Sequence, residues 1–138
     1  MIDKFFQSPA AAWLEKGLDA TSLRHRVLAN NLANVETPNF KRSEVSFEAE
    51  LKDRLREKNC LPLVRTHPKH RPNIQPISQI VPSIKTDASQ TMRNDGNNVD
   101  VEAEMAKLSI NTIQYNTLIQ QLGSHFSRLR SAINEGGR

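Results

Sequence analysis

The chain has 138 residues, a formal net charge of +4, 37% hydrophobic residues and 5% aromatic residues. That length suits one domain, but the apolar and aromatic content is thin for a large globular core. The mild basic excess permits contact with acidic surfaces without demanding nucleic acid, and the single cysteine, Cys60, excludes an internal disulfide and a multi-cysteine zinc site.

The first segment, MIDKFFQSPAAAWLEKG, contains no apolar run of signal-peptide length, because Asp3, Lys4, Gln7 and Glu15 interrupt it. No stretch of the chain approaches the roughly 20 apolar residues of a membrane span. The expectation is a protein that stays in the cytoplasm or leaves by a route that reads no cleavable signal. Ser8-Pro9 predicts an N-cap followed by proline at the first helical position. Leu14, Leu18, Thr21, His25, Leu28, Leu32 and Val35 then step by four and three, with His25 expected as a packed seam residue rather than a base. Pro38 ends the pattern, since the residue before a proline is pushed out of the α region; the N-terminal helical unit is residues 1–37.

That helix closes in ANNLANVETPNF, with Asn30, Asn31 and Asn34 crowded over about one turn. Asparagine is a mediocre helix former, and at least one of these amides must face away from the Leu28–Leu32–Val35 stripe. Two readings stand side by side. The amides satisfy backbone groups of neighbouring chains and the loose carbonyls of their own helix end, or they simply terminate the helix before the proline.

Residues 38–95 form an irregular middle unit, in which six of the seven prolines fall between Pro38 and Pro82. This spacing forbids a long helix and breaks interior strands. Residues 43–58 carry Phe47, Leu51 and Leu55 at helical spacing and predict a short amphipathic helix. Its basic residues Lys52, Arg54, Arg56 and Lys58 are interrupted by Asp53 and Glu57, which reads as a solvated face rather than a nucleic-acid stripe. Residues 60–95 read as extended, with short apolar runs at Leu61–Val64 and Ile74–Ile84 and a marginal strand or hairpin.

The C-terminal unit, residues 96–138, is the clearest. Val101, Met105, Leu108, Thr112, Tyr115, Ile119, Leu122, Phe126, Leu129 and Ile133 alternate four and three, and only Thr112 is polar. This is the pattern of a coiled-coil seam. Asp100, Glu102 and Glu104 complement the helix dipole, Arg128 and Arg130 lie near the far end, and Gly136-Gly137 stop the helix. The fold predicted is mainly α: long N- and C-terminal helices pair as an elongated coiled coil around a proline-rich extended middle with room for a short β-hairpin. One pair buries one stripe per helix, leaving Ile110, Ile113 and Leu118 for other partners.

No constellation supports catalysis, and no cofactor is expected. His67 and His70 sit in a basic, proline-rich segment without partners at ligand spacing, which favours a solvated loop over a metal site. Cys60 reads as a small apolar residue. DGNNVD, residues 95–100, lacks the spaced acids and distal glutamate of a calcium loop; Asp95-Gly96 reads as a turn and Asn98 or Asp100 as a helix cap.

Two stretches together resemble one family. LRHRVLANNLANVETPNFKR is similar to the N-terminal signature of the bacterial flagellar rod and hook axial proteins, and DGNNVD followed by EMA and Gln114-Tyr115 resembles the proximal rod type within that family. The resemblance covers residues 18–51 and 93–135. Val35-Glu36 stands where Ala-Asp is more usual and Asn39-Phe40 where Gly-Tyr is, so the turn after Pro38 must be made without that glycine. The resemblance implies a structural subunit required for motility, exported without a cleaved signal peptide through the flagellar type III apparatus. It would stack helically with copies of itself into the periplasmic rod, the drive shaft between membrane ring and hook. The partners implied are other rod proteins, the adaptor FliE, and components of the membrane ring and export gate. The assembly interface expected takes Asn30, Asn31, Leu32, Asn34, Thr37, Pro38 and Phe40 from the first signature, and Met105, Leu108, Tyr115, Ile119, Leu122, Phe126 and Leu129 from the last helix. The competing classes are a soluble coiled-coil adaptor or export chaperone, and a weak nucleic-acid module using the basic middle.

Overall fold

The computed structural model describes residues 9–48, 51–52, 81–89 and 94–135. Four elements follow in order: α1 (Pro9–Ala33), β1 (Ser43–Ser46), β2 (Ser83–Thr86) and α2 (Val101–Glu135). The helices have 25 and 35 residues, or roughly 37 and 52 Å of rod. Ser8, Cys60, His67, His70, the Leu61–Val64 run, most of the basic segment after Lys52, and Gly136-Gly137 lie outside the described residues.

The two helices pack antiparallel. Glu104 on α2 meets Asn31 near the end of α1, Asn111 meets Thr21, and Leu118 meets Gly17 nearer its start. Pairing of the long helices is as expected, but the faces that meet are not. The buried line on α2 is Glu104 and Asn111, with Lys107, Leu118 and His125 half-buried. The apolar line expected as the seam is rotated from it by about one residue, or 100°. Met105, Tyr115, Ile119 and Phe126 are exposed, and Leu108, Leu122 and Leu129 only half-buried. Polar ties and the close approach at Gly17, where an added Cβ would stand 3.3 Å from Leu118 Cδ1, choose the face. Leu118 is therefore part of the helix pair rather than free surface, while Ile110 and Ile113 are exposed as expected. On α1 the inward arc centres on Ala20, Thr21, Val27, Leu28 and Asn31, which turns His25 to solvent rather than into a seam.

Residues 43–58 do not form one helix. Ser43, Glu44, Val45 and Ser46 pair with Thr86, Lys85, Ile84 and Ser83 in a two-stranded antiparallel sheet. Val45 and Phe47 are both buried, so the local apolar period is two, as a half-buried strand requires. Helical backbone begins only after that, with the Leu51 N–H donating to Phe47 O at 2.9 Å. Phe47 and Ala20 form the small apolar core, with Trp13 and Leu51 against it. Of the alternating run expected at Ile74–Ile84, Ile84 lies in β2, and residues 71–80 are not described.

Helix α1 stops at Ala33, short of Pro38. Asn34 ends it: its N–H is shared between Asn30 O and Asn31 O at 3.2 Å each, and its side-chain amide donates to Asn30 O at 2.8 Å. The turn beyond Pro38 is made by Asn39, whose φ of 61° lies in the left-handed region that asparagine tolerates. Its N–H donates to Asp95 O at 2.8 Å. Gly96 has φ 75°, and a Cβ there would stand 2.7 Å from Asn39 Oδ1, so this position admits glycine for two reasons.

Candidate functional site

The two signature stretches fold onto each other. Asn31, with 0% of its surface exposed, donates from Nδ2 to Ser43 O at 2.8 Å and to Glu104 Oε2 at 2.9 Å. Its Oδ1 accepts from the Ser43 N–H at 3.0 Å. One amide thus joins α1, β1 and α2. Asn97, equally buried, places Nδ2 at 2.9 Å from Asn34 O and Val35 O and 3.0 Å from Thr37 O. It closes the open carbonyl end of α1, and its Oδ1 accepts from the Val99 N–H at 2.7 Å. Asn98 accepts from the Arg42 N–H at 2.7 Å and donates to Asp87 O at 2.9 Å, so it bridges strands instead of capping. The cap of α2 is Asp100, whose Oδ1 accepts from the N–H groups of Glu102 at 3.0 Å and Ala103 at 3.4 Å.

Charge completes this clasp. Glu104 is 2% exposed; its Oε1 faces Lys107 Nζ at 3.2 Å and Arg42 Nη1 at 3.4 Å, while Asn31 holds the other oxygen. A buried carboxylate needs such partners, because an unpaired charge out of water costs several kcal/mol, on the order of 3–5 when one partner is removed. Arg42 also reaches Asp87 Oδ2 at 2.8 Å and Glu44 Oε2 at 3.3 Å. The bond from Arg42, followed by the Ser89 N–H, holds the Asp87 carboxyl down at about 2. Lys41 Nζ donates to Gly96 O at 2.9 Å. Among the described residues, no cluster of His, Cys, Asp and Glu could hold a metal ion.

The three asparagines of ANNLAN therefore divide. Asn31 is buried and makes its bonds inside the subunit, and Asn34 ends its own helix. Asn30 is exposed. Thr37 and Pro38 are exposed at the same end of the molecule, and Leu32 and Phe40 are half-buried. Sequence reasoning missed Arg42, Asp87 and Asn97, and took Glu104 for a dipole acid. One usable signal was present: Thr21, Leu28 and Asn31 share a helical face, so an asparagine stood on the inward line.

The second feature is a stripe of unburied apolar side chains on α2. Val101, Met105, Tyr115, Ile119, Phe126 and Ile133 are exposed, from 38% at Tyr115 to 73% at Ile133. Their four–three spacing puts them on one line along most of the helix. These large apolar groups form one aligned patch among the described residues rather than scattered exposure.

A family model described as "Flagella basal body rod protein" matches residues 14–41. The chain is similar to the flagellar basal body rod protein FlgB of Borreliella burgdorferi, 37% identical over 81% of this chain and 86% of that protein. It is also similar to the FlgB proteins of Bacillus subtilis, 32% identical over 89% and 92%, and of Escherichia coli, 24% identical over 99% of each.

Proposed function

From its membership of the FlgB family of flagellar basal body rod proteins, to which this chain belongs, we infer that it builds the rod through the apolar stripe of α2. The chain is a structural, non-enzymatic rod subunit of the flagellar basal body. The observation that carries the inference is the alignment of Met105, Tyr115, Ile119 and Phe126 on a face that no other described element covers. Leu108, Leu122 and Leu129 lie beside them, half-buried. Asn30, Leu32, Thr37, Pro38 and Phe40 extend the surface at the clasp end, whereas Asn31 and Asn34 hold the subunit itself. In this reading copies stack helically in the proximal, periplasmic rod, the drive shaft between membrane ring and hook. Other rod proteins, FliE and components of the ring and export gate are the neighbours. Family membership supports these neighbours, as it does type III export without a cleaved leader. No described helix is long and apolar enough to cross a membrane.

Phe126→Asp tests the stripe. Phe126 is 46% exposed and outside the helix pair, so the purified variant keeps wild-type helicity and thermal unfolding. A charge buried in an interface costs several kcal/mol, so rods fail to assemble and cells lose motility. Normal basal bodies in that strain would remove the stripe from the interface.

A further inference from the structure

Helix α2 carries two seams that share every second position. Glu104, Asn111, Leu118 and His125, seven residues apart, lie on the side that faces α1, with Leu108, Leu122 and Leu129 half-buried beside them. One residue further on, Met105, Thr112, Ile119 and Phe126 repeat at the same spacing and are exposed. Combined with the same leucines they make a second heptad seam, and the more apolar of the two. Resting on the reading of the stripe as the rod interface, we propose that α2 is a two-position element. The clasp latches it with the stripe outward. Release of the clasp lets α2 roll until the stripe packs on the subunit's own α1 and is withdrawn from assembly.

The roll is small. Neighbouring residues of a helix are roughly 100° apart, and the shared leucines stay at the contact throughout, so no bond within α2 breaks. Ile119 takes the place of Leu118 opposite Gly17, and Thr112 that of Asn111 opposite Thr21. Apolar burial favours the rolled position, since Met105, Ile119 and Phe126, 54%, 44% and 46% exposed, become covered and Glu104 returns to water. Asn111 adds to this bias. Its Nδ2 donates to Thr21 O at 3.0 Å, but its Oδ1 is buried and meets no donor among the described residues. That orphan acceptor costs free energy in the latched position only.

The opposing contacts are few. Asn31 and Arg42 hold Glu104 from outside α2, and Gly17 admits Leu118. Lys107 sits on α2 and turns with Glu104, so its ion pair does not choose between the positions. A helix held against its apolar preference by a few bonds to residues distant in the chain has two discrete arrangements. A neighbour docked on the stripe binds only the latched one and shifts the balance towards it.

The test uses the full chain with Cys60→Ser and one reporter, Leu118→Cys or Ile119→Cys, labelled with N-ethylmaleimide where the parent is monomeric by sedimentation velocity. Leu118 is half-buried and Ile119 exposed, so Ile119→Cys reacts faster in the parent. Asn31→Leu removes the bond to Glu104 and offers Met105 an apolar partner. It should invert the order, slowing Ile119→Cys and speeding Leu118→Cys on the order of tenfold each. Thr112→Lys places a charge that only the rolled position would bury. It keeps the parent order and cancels the inversion when added to Asn31→Leu. Unfolding cannot imitate this result, because it speeds both thiols. Faster labelling of both, an unchanged order, or an inversion that survives Thr112→Lys overturns the two positions. Assembly in cells separates the roll from the stripe. With the order inverted, Asn31→Leu should build no rods. Normal rods in that strain, when Phe126→Asp builds none, overturn control of the interface by the roll. If Phe126→Asp builds normal rods, the stripe falls and its control with it, and the labelling order alone decides whether α2 has two positions.

Discussion

At Asn31 one side chain makes three bonds, to both backbone groups of Ser43 and to the buried Glu104. Asn31→Ala leaves these groups buried with fewer partners, at about 1–3 kcal/mol. Denaturant unfolding of the purified chain should show a lower midpoint with an unchanged slope. Alanine is the better helix former, so a rise in stability would mean that the amide serves no internal role. Asp87 supplies the pH dependence. Its folded value, about 2, lies below the usual 3.8 because Arg42 bonds the ionised form. A depressed carboxylate stabilises the fold above the unfolded value, and that contribution is lost as pH falls from about 4 to about 2. Asp87→Asn should flatten the acid limb of a stability–pH curve over this window and leave the neutral region without added slope. An unaltered acid limb would show that the Arg42–Asp87 bond is not formed in solution.

At the scale of elements, the helix pair depends on close approach and a few polar ties more than on a broad apolar seam. Gly17 has Leu118 already at the distance of tight contact. Gly17→Leu forces the helices apart or Leu118 out of its rotamer, costing about 1–3 kcal/mol despite the better helix propensity of leucine. Calorimetry should show a lower Tm; an unchanged or raised Tm would mean that the helices separate there without loss. Strand β1 shows how context overrides local pattern. Phe47, Leu51 and Leu55 fit a helical period, yet the Ser43 backbone is engaged by the Asn31 amide and Val45 alternates with Phe47 on the buried face. That long-range amide has no signal in residues 43–58, so the helix was expected to begin too early.

Among the described residues, the polar ties are concentrated at one end of the helix pair. The clasp and the sheet gather around the end of α1 and the start of α2, the Phe47 core lies against Ala20 and Trp13 farther back along α1, and the distal part of α2 carries exposed Phe126 and Ile133. Amides in residues 104–118 should therefore exchange more slowly in the free subunit than those in 122–135, and assembly should erase the difference. Equal protection along α2 in the monomer would contradict this distribution. The four–three apolar line was legible in the sequence, but it was expected as the seam against α1, whereas Met105, Tyr115, Ile119 and Phe126 are exposed. Its partner was not legible: a four–three apolar line announces an interface without saying whether the other side is the same chain or a neighbour.

The sequence by itself determined two long helices, a proline-broken middle, an end to the first helix before Pro38 and a cap for the second at Asn98 or Asp100, because each follows from local spacing or local backbone chemistry. Through its two signature stretches it also pointed to the family. Only the tertiary structure decided that these stretches bind each other, that Glu104 is buried against Asn31, Arg42 and Lys107, and that the apolar line of α2 faces outward. The reason is physical. Helical periodicity tells which residues share a face, but the rotation of that face against a partner is set by contacts between residues distant in the chain, here an amide, a carboxylate and a glycine.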